Sequence, residues 1–354
     1  MKIALIASAR SPHTVKWANM FQKRGNTVTV FSLPEDKPET LEFDPGISIN
    51  YLSVKAEDGI KKNAKELKAM LAAGSFDVVN AIGADTYGFL AVYAKHKFLL
   101  TLSGYDLINA EGSAKGVVLK AIKASAAVCC PSAVAMQRVL ALLKKKKKEI
   151  FIASPGVSLA QFDIKEDAKE EGVVVFGCIK PLEEVSGISE MLDAYKEMKG
   201  KTEANTKLVI IGEGSLENQL KQKAAQLGIE FEVEFKGHVP HKDIASEIQK
   251  CTAMLNCAKK ELFGVPTVEA MACGVPTIAT DTEGSSEIIL NGVTGYTCKI
   301  GKTSAFAYRM QEFANYPQNA AKMGSKTRGD VEDYFEINAC TDKYLKALEF
   351  VKNA

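Results

Sequence analysis

Residues 261–274 read ELFGVPTVEAMACG and carry two carboxylates, Glu261 and Glu269, eight positions apart around a Gly264-Val265-Pro266 turn. Proline suits the first turn of a helix, where its missing N–H costs nothing. A glycine before it lets another group approach the backbone closely. The helix start at 265–267 then offers unpaired N–H groups and the positive end of a helix dipole, a ready anion site. Glu269 follows in the first turns of that helix and Glu261 sits on the loop before it. A phosphate at the tip would have one carboxylate on each side, and carboxylates accept hydroxyl hydrogen bonds strongly. A diphosphate flanked by two polyhydroxyl groups, a sugar nucleotide, fits that pattern. An ordinary helix whose acid favours its dipole accounts for the same residues equally well.

Other chemistry-bearing residues are more scattered. Gly212 and Gly214 follow the apolar run LVII, where a strand turns into a helix. Such a turn lets a ligand reach the backbone, or simply permits a tight turn. Arg10 and His13 follow the first apolar run. His13 can face a ligand or lie on the surface. Asp106, in SGYDL, can orient an acceptor hydroxyl or cap the helix that follows. The five lysines 144–148 are either a solvated helix end or a patch attracted to anionic lipid, helped by the apolar stripe of AVAMQRVLALL beside them. No GxGxxG follows the first strand, no GxxxxGK[ST] occurs, and no D-x-D triplet is present to clamp a metal on a diphosphate. The four histidines and eight cysteines do not fall at zinc spacings, and the thiols read as buried, free groups of a reducing cytosol. No metal and no resident cofactor are therefore expected.

These residues need a scaffold. A chain of 354 residues, 46% hydrophobic and 25% charged, has room for two domains with a core in each. A formal net charge of +2 gives no global reason to expect nucleic acid. Short β-branched runs (KIALIAS, NTVTVFS, FDVVNAI, FLLTLSG, AAVCCPS) alternate with helical patterns (PHTVKWANMFQKRG, GIKKNAKELKAMLAAG, GSAKGVVLKAIKAS). The rhythm restarts after the charged 164–172, with VVVFGCI, TKLVIIGEG, FEVEFKGHV, AMLNCA and VPTIAT as strands. This is βαβ order and predicts an α/β protein with parallel sheets. Domains of 1–163 and 164–330 are expected to face each other across a cleft. Ligands bind such clefts at the carboxyl ends of the strands. The helical C-terminal segment 331–354 is expected to return to the first domain. No run is long enough to span a membrane, and the N-terminal apolar run is too short for a signal peptide.

The run ELFGVPTVEAMACGVPTIATDTEGSSEIILNGVTGY resembles the signature of family-4 glycosyltransferases: E-x7-E, a small-residue helix, a strand, a glycine loop, then E-I and N-G-x-T-G. The likeness extends through LVIIGEGSLENQL and EFKGHVPHKDIASEIQKC, and more weakly through SPHTVKWANMFQKRGNTVTVFS, LSGYDLI and ASPGVSLAQFD, in the manner of a bacterial branch. The resemblance implies the GT-B fold, a first domain that binds acceptor and a second that binds a nucleotide-diphosphate sugar. It implies retention of anomeric configuration and a glycan or lipid-linked acceptor, as in cell-surface polysaccharide synthesis. Carried over, Glu269 would bind the ribose hydroxyls and Glu261 the donor sugar. Gly264, Val265 and Pro266 would line the diphosphate, Val239 would hold the base edge through its main chain, and Gly212 and Gly214 would lie nearby. The family usually writes Gly-Arg at the first strand end of the donor domain, with a Lys beyond. Here Cys178 stands for the Arg, Glu183, Glu184 and Val185 occupy the place of the Lys, and Lys180 is the nearest cation. Lys180 or Arg10 would then carry the diphosphate charge. A cytoplasmic enzyme that can touch the inner face of a membrane is the expectation. The alternatives are a sugar-nucleotide epimerase on the same scaffold and a binding protein whose donor site has decayed.

Overall fold

The computed structural model describes residues 1–38, 42–144 and 146–354. The chain divides into two compact units, Met1–Gly156 with Asn338–Ala354, and Val157–Ile337. The first unit holds β1 (Lys2–Ile6), α1 (Pro12–Lys23), β2 (Thr27–Ser32), β3 (Ser48–Tyr51), α2 (Ala56–Gly74), β4 (Val78–Ile82), α3 (Thr86–Ala94), β5 (Leu99–Thr101), α4 (Gly104–Ile108), α5 (Gly112–Ala124), β6 (Ala127–Cys130), α6 (Ala133–Leu143) and β7 (Glu149–Ile152). Its strands form one parallel sheet in the order β3-β2-β1-β4-β5-β6-β7. Ile3 to Ile6 are all fully buried, as a central parallel strand covered on both faces requires.

The second unit holds β8 (Val174–Ile179), α7 (Ile188–Lys199), β9 (Thr206–Ile211), α8 (Glu217–Gln226), β10 (Val233–Gly237), α9 (His241–Gln249), β11 (Ala253–Asn256), α10 (Val265–Ala272), β12 (Thr277–Thr280), α11 (Glu283–Ile288), β13 (Gly295–Cys298), α12 (Thr303–Asn315) and α13 (Pro317–Tyr334). The sheet order is β10-β9-β8-β11-β12-β13, again all parallel. Alternate residues of β8 serve the two cores: Val174, Phe176 and Cys178 face one, Val175 and Ile179 the other.

The chain closes with α14 (Ile337–Asn353). Its stripe Cys340, Tyr344, Ala347, Leu348 and Val351 is at most 1% exposed, the helical spacing of a docked face. The Tyr344 ring lies edge-on to Trp17 and Phe21, with centroids 4.7 and 5.0 Å away. Its hydroxyl accepts from Asn80 Nδ2 at 2.7 Å and bonds Thr101 Oγ1.

Two boundaries differ from the sequence reading. The charged segment 164–172 is not the division between units; it belongs to the second, where Lys207 pairs with Glu170 at 2.9 Å. Val157 and Phe162, 3% and 1% exposed, already lie in the second core, so that unit begins before residue 164. Residues 331–336 also stay there: Val157 bonds to Phe335 and Ile337 through its N–H (2.8 Å) and carbonyl (3.1 Å), pinning the break between α13 and α14.

Candidate active site

In the second sheet the strand order reverses between β8 and β11. The carboxyl edge at such a reversal is where open α/β sheets bind ligands. Lys180 leaves the end of β8 and Glu261 lies on the loop after β11, and their side chains form an ion pair across this point. The two side chains are only 8% and 10% exposed. Glu261 uses its other oxygen to accept from Asn256 Nδ2 at 2.6 Å, at the end of β11. The sequence reading did not single out Asn256; its signal was a polar residue closing the apolar run AML.

The 261–264 loop is held from two sides. Gly284 N–H donates to the Glu261 carbonyl at 2.9 Å, and a Cβ on Gly284 would stand 2.6 Å from the backbone of Leu262 and Phe263. Gly264 caps α10 and lies against the Glu261 carboxylate, where a Cβ would come within 2.9 Å of Oε2. Thr267 N–H turns back to the Gly264 carbonyl at 3.0 Å and Pro266 has no N–H, so the tip of α10 offers the amides of Gly264 and Val265. Glu269, one turn further, is 3% exposed and meets His241 Nε2 at 2.8 Å. His241 opens α9; Gln161 Nε2 donates to its carbonyl at 3.0 Å and the Phe162 ring packs 5.7 Å from its imidazole. His241 was read only as a histidine without zinc spacing; nothing in the sequence links it to Glu269, 28 residues away.

Two family models match the chain: residues 160–330 fit "Glycosyl transferases group 1" and residues 2–130 fit "Glycosyl transferase 4-like". Both are glycosyltransferase models, one matching each half of the chain. Among curated relatives, N-acetyl-alpha-D-glucosaminyl L-malate synthase of Bacillus anthracis is 29% identical over 51% of this chain and 46% of its own length. The chain thus spans less than half the length of that relative in the match. Among solved structures, sucrose-phosphate synthase of Thermosynechococcus elongatus superposes with a TM-score of 0.86 at 17% identity, covering 99% of both chains. HepE of Anabaena, solved with UDP and glucose, gives 0.80 at 16% identity, covering 99% of this chain and 100% of that one. The fold is GT-B, an α/β fold of two Rossmann-like units.

Against this glycosyltransferase fold the remaining site residues fall as follows. Cys178, at the position the resemblance pairs with an arginine, is 1% exposed in the core under α7, and burial pushes its thiol up to about 12. It is apolar packing, not a replacement charge. Gly212 (φ +135°) and Gly214 have their explanation in the protein itself. A Cβ on them would stand 2.0 Å from the Lys180 carbonyl and 2.5 Å from that of Leu182. The backbones after β8, β9 and β10 are bonded side by side: Lys180 N–H to Ile211, Leu182 N–H to Glu213, Gly212 N–H to Gly237. Val239 lies between β10 and α9, partly buried against the core.

In the first unit, Arg10 is exposed and donates to the Glu35 carbonyl at 2.6 Å. His13 is exposed in the first turn of α1. Asp106 belongs to the capping reading rather than to acceptor orientation. Its carboxylate accepts from Ala84 N–H (2.8 Å) and from Ser103 N–H and Oγ (2.6 and 2.9 Å), closing a capping box on α4. Burial raises its pKa against the pull of those donors. Of the lysine run, Lys145 lies outside the described residues, and Lys148 turns inward to the carbonyls of Lys123 and Ser125. No helix among the described residues is long and apolar enough to cross a membrane, and no three His, Cys, Asp or Glu side chains there gather as metal ligands.

Proposed function

We propose that the protein is a retaining glycosyltransferase that moves a sugar from a nucleotide-diphosphate donor to a glycan or lipid-linked acceptor. The observation that carries this reading is the Lys180–Glu261 pair at the β8/β11 reversal, beside the tip of α10. The diphosphate would lie on the Gly264 and Val265 amides with the Lys180 ammonium against it. Glu261 would then turn an oxygen to the sugar hydroxyls and Glu269, held by His241, would take the ribose. The base edge would meet the main chain at Val239. Lys180 is the cation at the β8/β11 edge itself, whereas Arg10 belongs to the first unit, so the reading assigns the diphosphate charge to Lys180.

As the bond from the anomeric carbon to the diphosphate oxygen breaks, negative charge grows on that oxygen, where Lys180 and the helix tip stabilise it more than in the ground state. The acceptor oxygen bonds to the anomeric carbon from the same face and its proton passes to the departing diphosphate. HepE was solved in complex with UDP and glucose, which supports a nucleotide-sugar donor here by analogy of fold.

The test is incubation with UDP-, GDP- and ADP-sugars, with and without simple glycan acceptors, in EDTA. Acceptor-dependent release of nucleoside diphosphate and an axial or equatorial linkage matching the donor support the reading. An epimerised donor without acceptor, or binding without any turnover, replaces it with the epimerase or the decayed binder.

A further inference from the structure

In the second unit α7 and α8 pack on one face of β8, β9 and β10. The opposite face of the same three strands meets α9, nine residues long, and the short 3-10 turn Glu166–Ala168. A helix about 10 Å across spans two strands set about 4.8 Å apart, not three. Beside α9 this face therefore keeps a hollow of about 220 Å³. Its floor is Ile179 of β8 with Val209 and Ile211 of β9, which point to one side of the sheet by their register. Gly177 lies next to Val209, and a Cβ on it would come within 2.6 Å of both Cys251 Sγ and Met254 Sδ. The two sulfurs thus take the place of a side chain there and make one wall. Six charged residues complete the lining, and each pairs with another of them. Glu247, 15% exposed, lies 2.5 Å from Lys236 and 2.9 Å from Lys250. Lys236, 24% exposed, also stands 3.9 Å from Glu234, and Lys207 pairs with Glu170 at 2.9 Å.

We propose that this hollow is a binding site for a small uncharged aromatic molecule, a fused two-ring compound of the size of indole. The charge pattern sets the first condition. Three cations and three anions line the hollow and satisfy one another, so what they leave for a guest is apolar surface. A charged guest would have to break one of these pairs or enter without a partner, and both are costly. The volume sets the second: an apolar cavity of about 150 Å³ holds one benzene ring, so this one has room for a second fused ring. The walls set the third. A thioether, a thiol and a half-buried ammonium attract the faces and edges of an aromatic ring, and they give an aliphatic body no such preference. The hollow is separate from the donor edge: Lys180 and Gly212 follow Ile179 and Ile211 in the chain, yet neither lines it. It does not rest on the glycosyl-transfer reading, because binding is measured without donor or acceptor.

The experiment is titration calorimetry of the full chain with four probes: indole, its anionic relative indole-3-acetate, its cationic relative tryptamine, and aliphatic cyclooctanol. Saturable one-to-one binding of indole with a Kd of about 0.1–1 mM is expected for a ligand of this size. The two charged probes and cyclooctanol should bind at least about tenfold more weakly. Two variants fill the hollow from different sides. Val209→Phe puts a ring on its floor, and Ala168→Trp closes it from the half-exposed turn, where the backbone has little to lose. Each should abolish indole binding, with circular dichroism showing which of them is folded; if the floor variant does not fold, the turn variant decides. Phe231→Ser removes the most exposed large hydrophobic residue, 96% exposed, and should change nothing. Four results overturn the proposal: no saturable indole binding, equal affinity for a charged or the aliphatic probe, full indole binding by a folded filling variant, or loss of indole binding in Phe231→Ser. Displacement of indole by UDP, GDP or ADP would also overturn it, by placing the ring at the donor edge instead.

Discussion

Lys180 and Glu261 face each other almost out of water, and that pairing shapes how each can be tested. Removing one partner of a buried pair strands the other charge at a cost of about 3–5 kcal/mol, so a rate loss in Lys180→Ala could be mere unfolding. Lys180→Ala is expected to lower both stability and kcat, the latter about 10²-fold as for other lost charge-stabilising groups, with donor KM changing less. Lys180→Met with Glu261→Gln should regain most of the stability, read by urea unfolding, yet stay slow. If the double variant turns over at the wild-type rate, the pair is structural only. His241 acts on Glu269 from one side, holding a carboxylate that is otherwise buried in α10. His241→Ala should raise donor KM about tenfold, worth about 1.4 kcal/mol, while kcat holds and Gln restores part of the affinity. Equal loss in kcat and no change in KM would assign His241 to something other than holding Glu269.

At the scale of elements, the strand-end loops carry the site as a bonded layer, with the Lys180–Leu182 backbone laid on Gly212 and Gly214. An alanine at Gly212 needs the φ +135° region and 2.0 Å of space that the Lys180 carbonyl occupies. Gly212→Ala is therefore expected to cost about 1–3 kcal/mol and to weaken donor binding, because Lys180 must move; a variant with native melting and native affinity would contradict this. Much of this layer was legible beforehand. The runs KIALIAS, VVVFGCI and TKLVII announce buried parallel strands, and the glycines after LVII announce a close approach. What approaches is the chain's own backbone, and a glycine is silent on that. β3, β7 and β13 escaped because each is an edge strand, and SINY, EIFI and GYTC are only partly buried, so none has the apolar run that marks a central strand. Asp106 could not be resolved either: the capping box and an acceptor contact ask for the same residue after the same strand, and only the position of Ala84 decides. His241 and Glu269 meet through tertiary packing of α9 on α10, which no local pattern encodes.

At the scale of the whole molecule, two parallel sheets of opposite ends of one chain each build a carboxyl edge, and α14 returns to finish the first unit. Tyr344 is the residue that locks that return, bonding Asn80 and Thr101 beneath the sheet. Tyr344→Phe leaves Asn80 with a lost partner and should destabilise the first unit by about 1–3 kcal/mol, seen as an earlier transition for that unit in thermal unfolding; an unchanged profile would mean the hydroxyl is dispensable. The central claim belongs to the second unit: its β8/β11 edge holds a nucleoside diphosphate through Lys180, the α10 tip and Glu269. Titration calorimetry of UDP, GDP and ADP into the full chain in EDTA, repeated with Glu269→Gln, tests it most directly. The account predicts heat from at least one of the three without added metal, and at least about tenfold weaker binding, or about 1.4 kcal/mol, in the variant. No heat from any nucleotide, or identical affinity in Glu269→Gln, would contradict it.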